Sequence, residues 1–169
     1  MTSFDLRRLK LRPGDEHREA LEVELPAFEF GGQRYLPVPE LVPAELTVTR
    51  ALTGTLLQLK FTARLFGPCY RCLGDAVLEV PIYATEYEAT SPDDDELRSP
   101  YLVDQSTVEV SAWARDAVVL ALPDKILCQP DCAGLCPECG KNLNEEPHEH
   151  EEVTVDPRWA ALEALRDDD

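Results

Sequence analysis

The chain has 169 residues, of which 44% are hydrophobic and 29% are charged. This composition excludes global disorder, and the length suits one compact domain with a small attached module. The 33 acidic and 16 basic residues give a formal charge of −17. Because this charge repels phosphate groups, we expect no direct binding to nucleic acid, and a basic protein suits the chain better as a partner.

Hydropathy gives no sign of a membrane segment. The longest continuous apolar run is Ala117 to Leu122, whereas a membrane-spanning helix needs about 20 apolar residues. Charges begin at Asp5 without an export signal, so we expect a cytoplasmic protein with no membrane association. Because cytosolic thiols are kept reduced, closely spaced cysteines are interpreted first as metal ligands.

Residues 1–44 are interpreted as a lead-in segment with edge strands. Several prolines interrupt this segment, and each removes a backbone donor that a central strand or a long helix would need. The alternating apolar residues of Leu21–Leu25 predict one of its strands.

Residues 45–123 are expected to form an antiparallel β-sheet domain. Apolar residues recur at every second position in Leu46–Arg50 and Leu57–Leu65, as in half-buried strands. The alternation returns in Val77–Tyr87, so the intervening residues 67–74 are predicted to be a hairpin tip with two cysteines.

The end of this domain is predicted to be helical. A solvated acidic loop at Ser91–Glu96 and a short strand at Thr107–Val110 come first. Ser111 is then a candidate N-cap for a helix over Ala112–Leu122, which Pro123 ends. The side chains that this helix is expected to present are Trp113, Val119, Leu120 and Leu122.

Residues 124–169 are interpreted as a zinc-binding segment followed by a short helix. Large apolar residues are scarce between residues 128 and 150, so a bound metal must supply stability on the order of 10 kcal/mol. Asp156 and Pro157 then start a C-terminal amphipathic helix with Trp159, Leu162 and Leu165 on one side. The fold class expected for the whole chain is α+β, with an antiparallel sheet of about four to six strands.

Two Cys-x-x-Cys knuckles carry the chemistry. This spacing lets both thiolates of a knuckle bind one ion while amides of the turn bond to sulfur. Gly140, after the second knuckle, suits the positive φ that such turns often need. Soft thiolate and imidazole donors favour zinc, as one ion or two. The candidate ligands are Cys69, Cys72, Cys128, Cys132, Cys136, Cys139, His148 and His150.

Spacing alone leaves the grouping of these ligands open. One arrangement pairs Cys69 and Cys72 with two of the later cysteines. The other has two sites, Cys136, Cys139, His148 and His150 in one and Cys69, Cys72, Cys128 and Cys132 in the second. Both arrangements are closed structural sites, and no His-Glu-x-x-His motif or serine nucleophile arrangement is evident, so we expect no enzymatic activity.

These motifs resemble one protein family. The segments Cys69-x-Arg-Cys-Leu73, Cys128 to Asn144 with its Cys-Pro-x-Cys-Gly core, and Asp156-Pro-Arg158 look like the YceD family over residues 45–166. The resemblance implies a non-catalytic role in ribosome assembly, linked to accumulation of large-subunit ribosomal RNA. Many members of that family end the motif with Cys-x-Cys where this chain has His148-Glu-His150, which exchanges one type of zinc ligand for another. The partner expected is a basic ribosomal protein or a large-subunit precursor particle.

Two other function classes compete with this interpretation. A thiol redox protein or sensor would use the Cys-x-x-Cys pairs, although Cys-Pro-Glu-Cys does not lie in a βαβ unit. A nucleic-acid-binding ribbon would need a basic stripe, whereas only Arg71, Lys125 and Lys141 lie near the cysteines.

Overall fold

A computed structural model describes residues 1–91, 98–104 and 106–150 of the chain. The chain divides into two compact units, Met1–Cys132 and Ala133–Asp169. Within the described ranges the structure is mostly antiparallel β-sheet with one α-helix, which confirms the expected sheet. The helix predicted from Asp156 lies outside the described residues, as does most of the predicted acidic loop.

Nine strands and one α-helix are present in the described ranges. The strands are β1 (Phe4–Asp5), β2 (Glu16–Glu24), β3 (Phe28–Phe30), β4 (Gln33–Pro37), β5 (Leu41–Arg50), β6 (Gly54–Pro68), β7 (Asp75–Ala89), β8 (Leu102–Val103) and β9 (Thr107–Val108), and the helix is α1 (Val110–Ala121). A single 3₁₀ turn spans Leu6–Arg8.

The main sheet has six antiparallel strands, with β6 at its centre. One side of β6 pairs with β7 along its whole length, and the other side pairs first with β5 and then with β4. Strand β2 pairs with β5 at one margin of the sheet. A smaller sheet has the order β1, β9, β8.

Burial alternates along β6 as the sequence pattern predicts. The inward side chains are at most 5% exposed and are Leu57, Leu59, Phe61, Ala63 and Leu65. Their neighbours Gln58, Lys60 and Thr62 face solvent. Helix α1 contacts β7 and β2 and buries Trp113, so the apolar core contains side chains from both the sheet and the helix.

Helix α1 differs from the prediction at both ends. It begins at Val110, and the residue before it makes no side-chain capping bond, so Ser111 as N-cap is wrong. The Ser111 hydroxyl instead accepts the Thr2 N–H at 2.8 Å. Val119 and Leu120 are 53% and 87% exposed, whereas the inward position near this end is Val118.

A glycine near the tip of the β6–β7 hairpin lies close to a buried tyrosine of β4. A Cβ atom on Gly67 would overlap the ring of Tyr35 and lie 2.9 Å from the carbonyl oxygen of Arg34. Tyr35 is 1% exposed, and its hydroxyl donates to the carbonyl of Pro68 at 2.9 Å. The absence of a side chain at Gly67 therefore leaves room for the Tyr35 ring, and the hydroxyl of that ring bonds to the backbone just before the tip.

We predict that Gly67→Ala destabilises the protein by about 1–3 kcal/mol, because neither the buried ring nor the backbone oxygen can move away cheaply. Urea-induced unfolding followed by circular dichroism measures this loss. Gly74→Ala is the matched control, since a Cβ there would lie 3.5 Å from the sulfur of Cys72, an ordinary contact. Equal stability of both variants would contradict the role given to Gly67.

Candidate metal centres

Four cysteine sulfurs converge where the β6–β7 hairpin tip meets the segment that follows α1. The Sγ atoms of Cys69, Cys72, Cys128 and Cys132 all lie within 4.8 Å of one another. Cys69 Sγ is 3.7 Å from Cys132 Sγ, and Cys72 Sγ is 3.6 Å from Cys128 Sγ. Thiolates bound to one zinc ion at about 2.3 Å would be about 3.8 Å apart, whereas a disulfide would need about 2.05 Å. The geometry therefore suits a tetrahedral ion.

Backbone hydrogen bonds shape the tip around its first sulfur. The N–H of Cys69 donates to the carbonyl of Gly74 at 2.7 Å, and the N–H of Leu73 donates to the carbonyl of Cys69 at 3.0 Å. Within this turn the N–H of Arg71 points at Cys69 Sγ, at 3.4 Å. The turn therefore supplies amide donors to the thiolate, as the sequence spacing predicts.

Contacts outside the sulfurs hold the later segment against the tip. The N–H of Tyr70 donates to the carbonyl of Ile126 at 2.8 Å, and the Ile126 side chain is 1% exposed. The Arg71 guanidinium donates to the carbonyl of Cys132 at 2.7 Å. The sequence did not predict this hydrogen bond from Arg71. It showed only that a basic residue lies between the two cysteines of the first knuckle.

The pKa values of the cysteines in this cluster differ, and the four thiols would ionise together only around a cation. Burial opposes ionisation of Cys69, but hydrogen bonds from the N–H groups of Cys72, Arg71 and Cys128 lower the pKa of Cys69 to about 6. Desolvation and the neighbouring thiols raise the pKa of Cys128 to about 12. Four thiolates at this spacing repel one another, so a cation is needed for all four to ionise together.

The second cluster lies entirely within the second unit. Ligand atoms of Cys136, Cys139, His148 and His150 are all within 4.8 Å of one another. His148 Nε2 is 3.1 Å from Cys139 Sγ and 3.1 Å from His150 Nε2. Hydrogen bonds from the N–H groups of Cys139 and Glu138 lower the pKa of Cys136 to about 6, although desolvation opposes them.

Both imidazoles of the second cluster are oriented by an oxygen on their other nitrogen. His148 Nδ1 lies 2.7 Å from the carbonyl oxygen of Glu146, and His150 Nδ1 lies 3.4 Å from a carboxylate oxygen of Glu138. An oxygen beside Nδ1 favours the tautomer with a proton on that nitrogen, which leaves the Nε2 lone pair available, the usual arrangement for histidines that bind metals. Sequence reasoning missed Glu138, although it lies inside the second knuckle.

The two knuckles share one backbone plan. In the second, the N–H of Cys136 donates to the carbonyl of Lys141 at 2.8 Å, and the N–H of Gly140 donates to the carbonyl of Cys136 at 2.9 Å. These bonds match those of the first tip, where Leu73 takes the place of Gly140. Gly140 has φ +72° and Leu73 has φ +59°, so a left-handed residue follows both knuckles.

We predict that Gly140→Val speeds amide exchange across residues 133–145 by about tenfold, because a branched side chain is strained in the left-handed region by about 1–2 kcal/mol. No atom lies within 4 Å of a Cβ placed on Gly140, so crowding does not contribute. Hydrogen exchange followed by mass spectrometry measures the change. Gly140→Asn is the control and should exchange more slowly than the valine variant, since asparagine tolerates this region; the opposite order would contradict the assignment.

The structure brings all eight predicted ligands into two groups of four. Cys69 and Cys72 lie beside two later cysteines, and the remaining four residues form the separate Cys/His group that one of the two arrangements describes. His17 lies in neither group, and its Nε2 is 3.0 Å from Glu19. Within the described ranges, no helix is long and apolar enough to cross a membrane.

Fold and site together define an antiparallel β-sheet protein with one Cys₄ and one Cys₂His₂ cluster, each suited to a tetrahedral metal ion. The family model described as "Large ribosomal RNA subunit accumulation protein YceD" matches residues 57–166, more than half of the chain. The chain therefore belongs to the YceD family.

Relatives in several bacteria are similar over much of this chain. An uncharacterized protein of Mycobacterium tuberculosis, Rv2926c, is 35% identical over 95% of this chain and 79% of its own length. An uncharacterized protein of Mycobacterium leprae, ML1660, is 32% identical over 94% of this chain and 75% of its own length. The uncharacterized protein YlbN of Bacillus subtilis is 30% identical over 58% of each chain. No solved structure matches the chain.

Proposed function

We propose that this protein is a non-enzymatic, cytoplasmic ribosome-assembly factor that binds two zinc ions and supports accumulation of large-subunit ribosomal RNA through a basic protein partner. The observation that carries the proposal is the presence of two four-ligand clusters in a chain that belongs to the YceD family. The family's description supports the link to ribosomal RNA. The donor atoms of the clusters support zinc, and the net charge of the chain supports a basic partner.

The donor sets favour zinc over other ions. Four sulfurs in one cluster, and two sulfurs with two imidazoles in the other, are soft or borderline donors in groups of four. A site with four protein ligands leaves no open position for a water molecule or a substrate, as in structural zinc sites. The proposed ions therefore stabilise the fold and take no part in a reaction.

Charge supports a basic protein as the partner. In residues 133–150 the acidic side chains Glu138, Glu145, Glu146 and Glu149 are exposed, and the one basic side chain, Lys141, is bonded to Glu146 at 2.6 Å. The whole chain carries −17. Such a field attracts basic ribosomal proteins and repels the ribosomal RNA backbone, so contact with the large-subunit precursor is expected to pass through protein.

We predict two zinc ions per chain in protein purified without chelators, measured by elemental analysis. Cys69→Ser and His148→Ala should each lower the ratio to about one, because each removes a ligand from a different cluster. His17→Ala is the control and should keep two ions, since His17 belongs to neither cluster. A natively purified protein that is metal-free and titrates as a low-pKa dithiol would contradict this proposal and favour the thiol redox alternative.

We predict that the immobilised protein retains large-subunit ribosomal proteins at low salt and loses most of them at moderate salt, because screening weakens contacts between exposed charges. Quantitative mass spectrometry of the retained proteins measures this. Glu145→Gln combined with Glu149→Gln should lower the salt at which they are released. Absence of enrichment at any salt concentration, or tight binding of naked ribosomal RNA at physiological salt, would contradict the proposal.

A further inference from the structure

The outer edge of β7 has no strand partner among the described residues. Strand β7 pairs with β6 from Asp75 to Ala89, and no other described strand joins it. At the two ends of this ladder the N–H of Thr90 donates to the carbonyl of Thr53, and the N–H of Cys69 donates to the carbonyl of Gly74. Backbone groups alternate in direction along a strand, so the even-numbered residues of β7 bond to β6 and the odd-numbered ones point outward.

Pro81 divides this outer edge into two parts. As an odd-numbered residue it directs its nitrogen outward, so its missing N–H removes no bond to β6. Proline also blocks the addition of another strand where it stands. Beyond it, Tyr83 and Thr85 each direct an N–H and a carbonyl outward, which gives two donors and two acceptors for an added strand.

A groove runs along this second part of the edge. It has a volume of about 430 Å³ and is lined by six consecutive residues of β7, 81–86, so it follows the edge of the strand instead of one face. The opposite wall comes from α1 and contains Trp113, which is 2% exposed, and Leu120, which is 87% exposed. Tyr101 stacks on Trp113 with ring centroids 6.1 Å apart. A strand edge facing an apolar helix wall is a recurring way to bind extended peptides.

The charged side chains near the groove and the net charge of the chain favour a basic segment as its occupant. Among the described residues, Glu86 is the one charged side chain that lines the groove. Asp116 accepts the hydroxyl of Tyr101 at 3.1 Å and is bonded to Arg115 at 2.7 Å. A second copy of this chain would also carry a net charge of −17, so the two copies would repel each other, whereas a basic segment would be attracted.

We propose that an extended basic segment of a protein partner adds as a strand to β7 at Tyr83 and Thr85, with an apolar side chain against Leu120 and Trp113. The identity of the partner rests on the proposed function, whereas the geometry of the groove does not. Backbone bonds would supply affinity, and alternate side chains of the segment would face the helix wall.

A fluorescent decapeptide of alternating lysine and valine tests the proposal on the full-length protein. We expect saturable binding in fluorescence polarisation and at least tenfold weaker binding of two control peptides, one with glutamate in place of lysine and one with central prolines that remove backbone donors. Equal binding of the proline peptide would overturn strand addition, and so would no binding of the lysine–valine peptide.

Two pairs of variants locate the site. Leu120→Lys should weaken binding at least tenfold, whereas Val119→Lys makes the same charge change on the same helix outside the groove and should change it less than threefold. Thr85→Pro should weaken binding similarly, and Val77→Pro, on the other side of Pro81, is its matched control. Circular dichroism establishes that each variant is folded. Equal effects within either pair of folded variants would overturn the assignment.

Two further outcomes separate this inference from the proposed function. If wild-type protein retains ribosomal proteins and Leu120→Lys retains them equally, the groove is wrong and the proposed function stands. If the decapeptide binds as expected and no ribosomal protein is retained, the proposed function fails and the groove stands. A dimer in sedimentation velocity that Leu120→Lys dissociates would overturn the basic partner in favour of a second copy.

Discussion

The pairing of β6 with β7 is the constraint on which the first unit depends. Fifteen residue pairs join the two strands, from Gly54 and Ala89 to Pro68 and Asp75. Since side chains alternate between faces, a shift by one residue would turn the apolar side of the hairpin toward solvent and displace the cysteines at its tip. The same register decides which backbone groups of β7 remain on its outer edge. The apolar core, the first cysteine cluster and the groove therefore all depend on the register of this strand pair.

The two clusters differ in how far apart their residues lie in the sequence and in how much apolar packing surrounds them. In the first, Cys72 and Cys128 are 56 residues apart in sequence, so the cluster connects a hairpin of the core to the segment after α1. In the second, Cys139 and His148 are nine residues apart, and the surrounding stretch contains few apolar side chains. An ion in the first would close a long loop of an already packed unit, whereas an ion in the second would replace the core that the short unit lacks.

Local patterns predicted most of the sheet, because a period of two along Leu57–Leu65 is a direct consequence of strand geometry. The start of α1 was missed because the Ser111 hydroxyl bonds to Thr2, 109 residues away in sequence. Six consecutive apolar residues, 117–122, have no helical periodicity, so the sequence did not distinguish the exposed Leu120 from the buried Val118. All eight candidate ligands were chosen from residue type and spacing, and the structure places each of them in a cluster of four. Their grouping needed the fold, since sequence separation does not measure the distance between the two knuckles.

The long separation within the first cluster has a consequence for synthesis of the chain. Cys132 follows Cys69 by 63 residues, which at roughly 5–20 residues per second is an interval of about 3–13 s. A hairpin of β6 and β7 that forms during this interval presents two thiols of the first cluster without the other two. A metal ion captured at that stage would be held by only half of the candidate ligands and would remain open to exchange until translation had passed residue 132.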